Sequence, residues 1–307
     1  MNFRLEPETH GHDFWRLPSR VHRRYDRALI RVGVAAFSFH DLSMASFLSR
    51  LRNNVKATRQ PSGEEIVQPA LSQVRRHAVI SEIGHVRGNN QDCILTRPES
   101  GLWIVADGMG GHTGGAEASR IACAAVAEAV EHGMGLADAF EVAHARVRAE
   151  QDLHPDHYDM GTTLVAVLER GENFELAWVG DSRAYRLNAG SGRLQCLTRD
   201  HNVPGRLLQA GSITAEEARL HPQRNILTDC IGQREGLPAI EVVHEVWHSG
   251  DRLLLCTDGL SGEVSDAELE RWLIGLEEPA EATAKLLQLA LDAGGRDNVT
   301  MVLIDAC

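Results

Sequence analysis

The chain has 307 residues, 43% hydrophobic and 24% charged, with a formal net charge of −12. This composition is that of a globular protein and excludes fibrous and low-complexity classes. No apolar run reaches the roughly 18 residues that a membrane span needs. Charge is unevenly spread, with a net of +6 over residues 1–76 and −18 over residues 77–307. An acidic body argues against nucleic acid as the main ligand.

Residues 1–73 carry Arg-rich patches such as "RVHRRYDRALIR" and a polar stretch, "KATRQPSGEEIVQP". They read as a flexible N-terminal extension or an over-long start, with a basic docking arm as the alternative. The polar first turns do not resemble a secretory leader. From residue 77 onward the pattern is regular. Strands are predicted at "HAVISEI", "LWIVAD", "TTLVAVLE", "NFELAWVG", "SRAYRLN", "IEVVHEVW", "RLLLCTD" and "VTMVLID", on alternation and β-branched content. Helical patterns fall at 115–131 and 136–151 and again at 265–276 and 279–293. Strands grouped at hairpin spacing between two helix pairs predict an α+β fold rather than a doubly wound sheet. Between the strand groups, "LLQAGSITAEEARLHPQRNILTDCIG" breaks the pattern. Thr214 and Glu217 make a capping box there, and a long insertion in a sheet protein often forms a lid. The six cysteines, scattered and without a C-x-x-C pair, read as reduced thiols of a cytoplasmic protein.

"VADGMGGHTGGAEAS", residues 105–119, has five glycines in eight positions after an apolar run. Such turns can cradle phosphate, yet neither G-K-[ST] nor a dinucleotide G-x-G-x-x-G register follows. Asp107 at its head is the better candidate. Asp107, Asp258 and Asp297 each adjoin an apolar strand beside Gly or Asn, and Asp92 sits where a strand begins. Singly, each fits a turn former. Together, in an acidic body, they fit a hard cation such as Mg²⁺ or Mn²⁺, and two such ions can clamp a water for phosphoryl transfer. Arg87, five residues before Asp92, suits bidentate contact with a phosphate.

"VRGNNQD", "VADGMGGH", "DMGTTLVAV", "WVGDSRAYRL", "LTRDHN", "HPQRNILTDCIG", "LLLCTDGLSG" and "GGRDNVTMVLI" run in the order seen in bacterial metal-dependent Ser/Thr protein phosphatases, the PPM family or type 2C. The resemblance covers residues 74–307. It implies a four-layer α-β-β-α sandwich, two central antiparallel sheets flanked by helix pairs, with two Mn²⁺ or Mg²⁺ ions at one end. Carried over residue by residue, Asp107 resembles the carboxylate that bridges both metals and Gly108 the residue offering its carbonyl. Asp258 and Asp297 resemble ligands of the second metal. Asp92, with Gln91 beside it, is similar to the carboxylate that holds metal-bound water, and Arg87 to the phosphate-binding arginine. Asp159 resembles a ligand of a third ion. That third site is weakened by Gly262, where the family often has aspartate. Animal relatives place a general-acid histidine where Met109 stands; His112, three residues on, is a candidate acid that the resemblance does not supply. Asp181 in "VGDSR" and Asp200–His201 in "TRDHN" read as structural. The expected activity is hydrolysis of phosphoserine and phosphothreonine on proteins, with a cognate Ser/Thr kinase and its substrates as partners, and a monomeric, cytoplasmic enzyme. A catalytically silent phosphoprotein-binding module on the same scaffold is the rival, disfavoured because it need not keep the five charged residues.

Overall fold

The computed structural model describes residues 75–111 and 114–306. The extension expected at 1–73 and the candidate acid His112 lie outside the described residues. Eleven strands and seven helices follow in the order β1 (His77–Glu82), β2 (Asp92–Arg97), β3 (Leu102–Met109), α1 (Gly114–Glu131), α2 (Leu136–Leu153), β4 (Gly161–Thr162), β5 (Leu164–Arg170), β6 (Asn173–Val179), β7 (Arg183–Asn188), β8 (Arg193–Cys196), α3 (Val203–Gln209), α4 (Ala215–Arg219), β9 (Glu241–Val246), β10 (Arg252–Cys256), α5 (Asp258–Ser261), α6 (Asp266–Gly275), α7 (Pro279–Asp292) and β11 (Val299–Asp305).

One sheet runs β1-β11-β10-β7-β8 and the other β2-β3-β5-β6-β9, with β4 added beside β3; the pairings are antiparallel. The period of two along each strand decides which layer a side chain enters. On β3, Leu102, Ile104 and Ala106 turn to α1 and α2, while Trp103 and Val105 enter the space between the sheets. On β10, Leu253 and Leu255 face that same space, and Leu254 and Cys256 face α6 and α7. Three apolar layers therefore separate four structural ones, giving the expected α-β-β-α sandwich. Strands buried on both faces read as continuous apolar runs, and "LWIVA" and "RLLLC" do so.

The elements missed by pattern are those with little apolar content. β8 lies on a sheet edge and is mostly exposed; β4 has two residues. α5 starts at Asp258 itself, so this aspartate opens a short helix directly after β10. The predicted capping box of Thr214 and Glu217 is present at α4, its two reciprocal bonds both made. α3 and α4 belong to the insertion, which is pinned to the sandwich by the bridges Asn202↔Leu227 and Thr162↔Ile231.

Leu255 is fully buried between the sheets. Truncation to alanine should cost roughly 2–5 kcal/mol through lost transfer energy and a residual cavity. A urea melt with unchanged slope and a lower midpoint checks this, and a shift under about 1 kcal/mol would contradict the layer assignment.

Candidate active site

The carboxylates gather at one end of the sandwich because the central strands of both sheets end there. Register pairs Asp92 at the start of β2 directly with Asp107 near the end of β3. From the other sheet, β10 delivers Thr257 and Asp258, and Asp297 stands just ahead of β11, the neighbour of β10. The two sheets are stitched across this end by Thr257, whose hydroxyl donates to Asp92 Oδ2 at 3.0 Å and accepts from the Thr300 amide at 3.1 Å. The Asp107 and Asp258 carboxyls stand near enough to act directly on each other's titration. Asp107, Asp92, Asp258 and Asp297 are thus brought together.

Arg87 arrives on the loop between β1 and β2. Its guanidinium donates to Asp297 Oδ2 at 2.6 Å while remaining half exposed. Asn298 holds that loop from beneath: its amide donates to the carbonyls of Ile83 at 2.9 Å and Asn89 at 3.1 Å, and its oxygen accepts from the Gln91 amide at 2.8 Å. Gly84 lets the loop pass, since its φ is +79° and a Cβ there would lie 2.3 Å from the Asp297 carbonyl oxygen. Close approach also fixes Gly108, where a Cβ would stand 2.1 Å from the Gly115 carbonyl oxygen and 2.5 Å from that of Gln91. Here β3, the start of α1 and the start of β2 come into backbone contact, so only glycine fits.

Burial pushes the Asp107 carboxyl well above the carboxylate range, and Asp92, Asp258, Asp181 and Asp297 push it further by like-charge repulsion. Asp92 is pushed up to about 7, again by burial first, opposed by the hydroxyls of Thr300 and Thr257 and reinforced by Asp258 and Asp297. Asp258 is raised by burial and by Asp297, and held back by Asp107, Arg87 and Arg224. Carboxyls crowded this way cannot all ionise without compensating positive charge. Two of their oxygens, Asp92 Oδ1 and Asp258 Oδ1, are buried without a hydrogen-bond partner. Orphaned buried acceptors carry a desolvation cost, which oxygen-seeking divalent ions relieve. As they stand, no three His, Cys, Asp or Glu side chains among the described residues close round one ion. The Arg87–Asp297 pair holds Asp297 in a contact with which a cation would compete. The donor set fits a divalent metal by charge, by hardness and by its two orphaned oxygens.

Other expected residues fall differently. Asp159 is exposed in the turn that leads into β4, its carbonyl oxygen beside Gly110. At Gly262 a Cβ would meet the Asp258 carbonyl oxygen at 2.7 Å, and the Gly262 amide donates to that same oxygen at 2.7 Å. The tight turn after α5 therefore leaves no room for the side chain common in the resembling family. Asp181 lies in the turn between β6 and β7, in line with its structural reading, and does more than shape that turn. It is buried, and its carboxyl is raised by burial and then by Asp258 and Asp200. Asn202 donates to it at 3.3 Å and to the Arg224 carbonyl at 3.0 Å, and caps α3 by accepting from the Gly205 amide. This joins the insertion to the carboxylate cluster. Only the apolar run before "GDS" hinted at the burial of Asp181. His201 is buried and structural, as read, its ring accepting from the Gly180 amide and facing Glu241.

Residues 85–292 match the model of the protein phosphatase 2C family, and the chain belongs to that family. It is 38% identical over 241 residues to the serine/threonine protein phosphatase PstP of Mycobacterium tuberculosis, covering 76% of this chain and 46% of PstP. The chain thus spans about half the length of that relative. It is 36% identical to the protein phosphatase PhpP of Streptococcus pneumoniae over 74% of this chain and 96% of PhpP. In structure it resembles the catalytic domain of a serine/threonine protein phosphatase PstP solved with two manganese ions. There the TM-score is 0.66 at 36% identity, over 75% of this chain and 97% of the other.

The raised Asp92 carboxyl fixes a pH dependence. Its folded pKa, about 7, exceeds the unfolded value of about 3.9, so the protonated form is favoured by folding. That stability is complete below about pH 4 and is lost as pH rises through about 7. In EDTA, the melting temperature of Asp92→Asn should gain on wild type between about pH 5 and about pH 8. Excess Mn²⁺ should remove that gain by stabilising the wild type most at the alkaline end. A gap that stays constant with pH would contradict the burial of this carboxyl.

Proposed function

We propose that this chain is a metal-dependent protein phosphatase that hydrolyses phosphoserine and phosphothreonine on proteins. The observation that carries the proposal is the convergence of four carboxylates from both sheets, three of them desolvated and two with orphaned oxygens, beside the half-exposed guanidinium of Arg87. Asp107, the Gly108 carbonyl, Asp258 and Asp297 would hold two ions, Mn²⁺ or Mg²⁺, in keeping with the two manganese ions of the PstP neighbour. Asp92 would hold the water bound to them, and Asp159 is the remaining candidate for a third ion. Bound there, divalent cations supply Lewis acidity, lowering the pKa of coordinated water and polarising phosphoryl oxygens.

The chain's own groups do the rest. The Arg87 fork, paired with Asp297, can exchange one carboxylate contact for two phosphoryl oxygens and so orient the phosphate for in-line attack. Thr257 fixes the Asp92 carboxyl through one oxygen and leaves the other free to face the site. Water oxygen attacks phosphorus, the bond from phosphorus to the serine or threonine oxygen breaks, and the leaving alkoxide takes up a proton. No described side chain is positioned as a nucleophile: the Ser182 hydroxyl is bonded to that of Thr163 and buried, far from the exposure a nucleophile needs. A cognate Ser/Thr kinase and its targets are the proposed partners, and a monomer in the cytoplasm is the proposed setting. Among the described residues, no helix is long and apolar enough to cross a membrane.

Asp107→Ala should lower Mn²⁺-dependent turnover of a phosphothreonine peptide by at least roughly a hundred-fold with the melting transition retained. Near-wild-type turnover would defeat the assignment. Arg87→Ala should lower kcat/KM by roughly 10–100-fold, the value of a charge-assisted bond. Arg87→Lys should recover little of it, because the fork rather than the charge is needed; full recovery with lysine would show that Arg87 acts as a point charge.

A further inference from the structure

Cys93 and Cys123 meet where β2 lies against α1. Cys123 Sγ lies 4.0 Å from the Cys93 carbonyl oxygen, and the two thiols stand near enough to shift each other's titration. Neither is in a disulfide, and Cys93 is half-buried while Cys123 is buried. Cys123 sits in the core between α1 and the sheet, and Cys93 packs against that core from β2. The other described cysteines differ: Cys196 is exposed and bonds to Thr198, and Cys230 and Cys256 are buried singly. A half-buried thiol beside a fully buried one is an arrangement in which the first is oxidised and the second resolves it.

We propose that Cys93 and Cys123 form an oxidisable dithiol pair, whose disulfide links β2 to α1 and lowers activity by displacing the neighbouring Asp92. The effect on activity rests on the function proposed above; the disulfide itself does not. The oxidant is a hydroperoxide. The Cys93 sulfur attacks one peroxide oxygen, the O–O bond breaks, and water leaves, giving a sulfenic acid. The Cys123 sulfur then attacks the Cys93 sulfur and expels the second water. Two thiols lose two electrons and two protons, and hydrogen peroxide becomes two waters.

The displacement follows from bond length. A disulfide holds its sulfurs about 2.05 Å apart, well inside the distance at which two free thiols pack. Closing it draws β2 and α1 together by on the order of 1 Å. Asp92 is the next residue along β2, its carboxylate tied to Thr257, and Cys93 pairs with Ala106 beside Asp107. A shift of about 1 Å at a reacting geometry can cost about a hundred-fold in rate.

The test uses the full chain. Reduced protein is treated with hydrogen peroxide, quenched with catalase, and divided between non-reducing peptide mapping and Mn²⁺-dependent hydrolysis of p-nitrophenyl phosphate. The expected result is a Cys93–Cys123 linked peptide, a fall in turnover of roughly 10–100-fold, and restoration by dithiothreitol. Cys123→Ala, conservative on an alanine-rich helix, and Cys93→Ser should both keep activity through the same treatment. Two results overturn the proposal: no linked peptide at a dose that oxidises Cys196, or equal loss of activity in wild type and Cys123→Ala. A linked peptide formed without loss of turnover overturns the displacement of Asp92. Because linkage is read by mass, protein that links but shows no turnover even when reduced counts against the phosphatase reading alone.

Discussion

Like charges held out of water at the mouth of the sandwich set the terms for everything near them. Four carboxyls, from β2, β3, α5 and the approach to β11, are crowded so closely that burial and mutual repulsion raise three of them above their ordinary range. A fold does not keep such a cluster for stability, since isolated buried charge is costly. The surroundings show how the cost is contained. Thr257 donates its hydroxyl to Asp92, Arg87 takes Asp297, and the rest awaits positive charge from outside. The β-sandwich itself supplies rigidity, because each ligand strand is buried on both faces by apolar layers.

Much of this was legible in the chain. Continuous apolar runs marked β3, β5 and β10 as strands covered on both sides, and hairpin spacing between two helix pairs gave the layers. Aspartate is unwelcome inside strands, so its repeated appearance at their ends pointed to Asp92, Asp107, Asp258 and Asp297 before any geometry was known. Edge strands carry no such signal: β8 is exposed, and its pattern resembles a loop. The roles of Thr257, Asn298 and Asn202 were equally invisible, because a single polar residue has many uses and only tertiary contact selects one. The burial of Asp181 was hidden for a related reason. Its "GDS" context describes a turn faithfully and says nothing of the carboxylates that the turn faces.

Glycine at 108 and 262 shows two kinds of constraint. At 108, three backbone segments meet, so the residue is dictated by packing and would be glycine whatever the chemistry. At 262, the amide closes a turn onto the carbonyl of Asp258. A side chain there would force that turn open, shifting the helix on which Asp258 sits. The sequence departure and the tight α5 turn are one fact seen twice.

Arg87 and Asp297 are 210 residues apart in the chain, and Asn298 grips the loop that carries Arg87 from the far end of the fold. β1 finds its partner only in β11, the final strand. A chain still being made therefore cannot bring Arg87 to Asp297, or settle β1 into its sheet, until β11 has been synthesised.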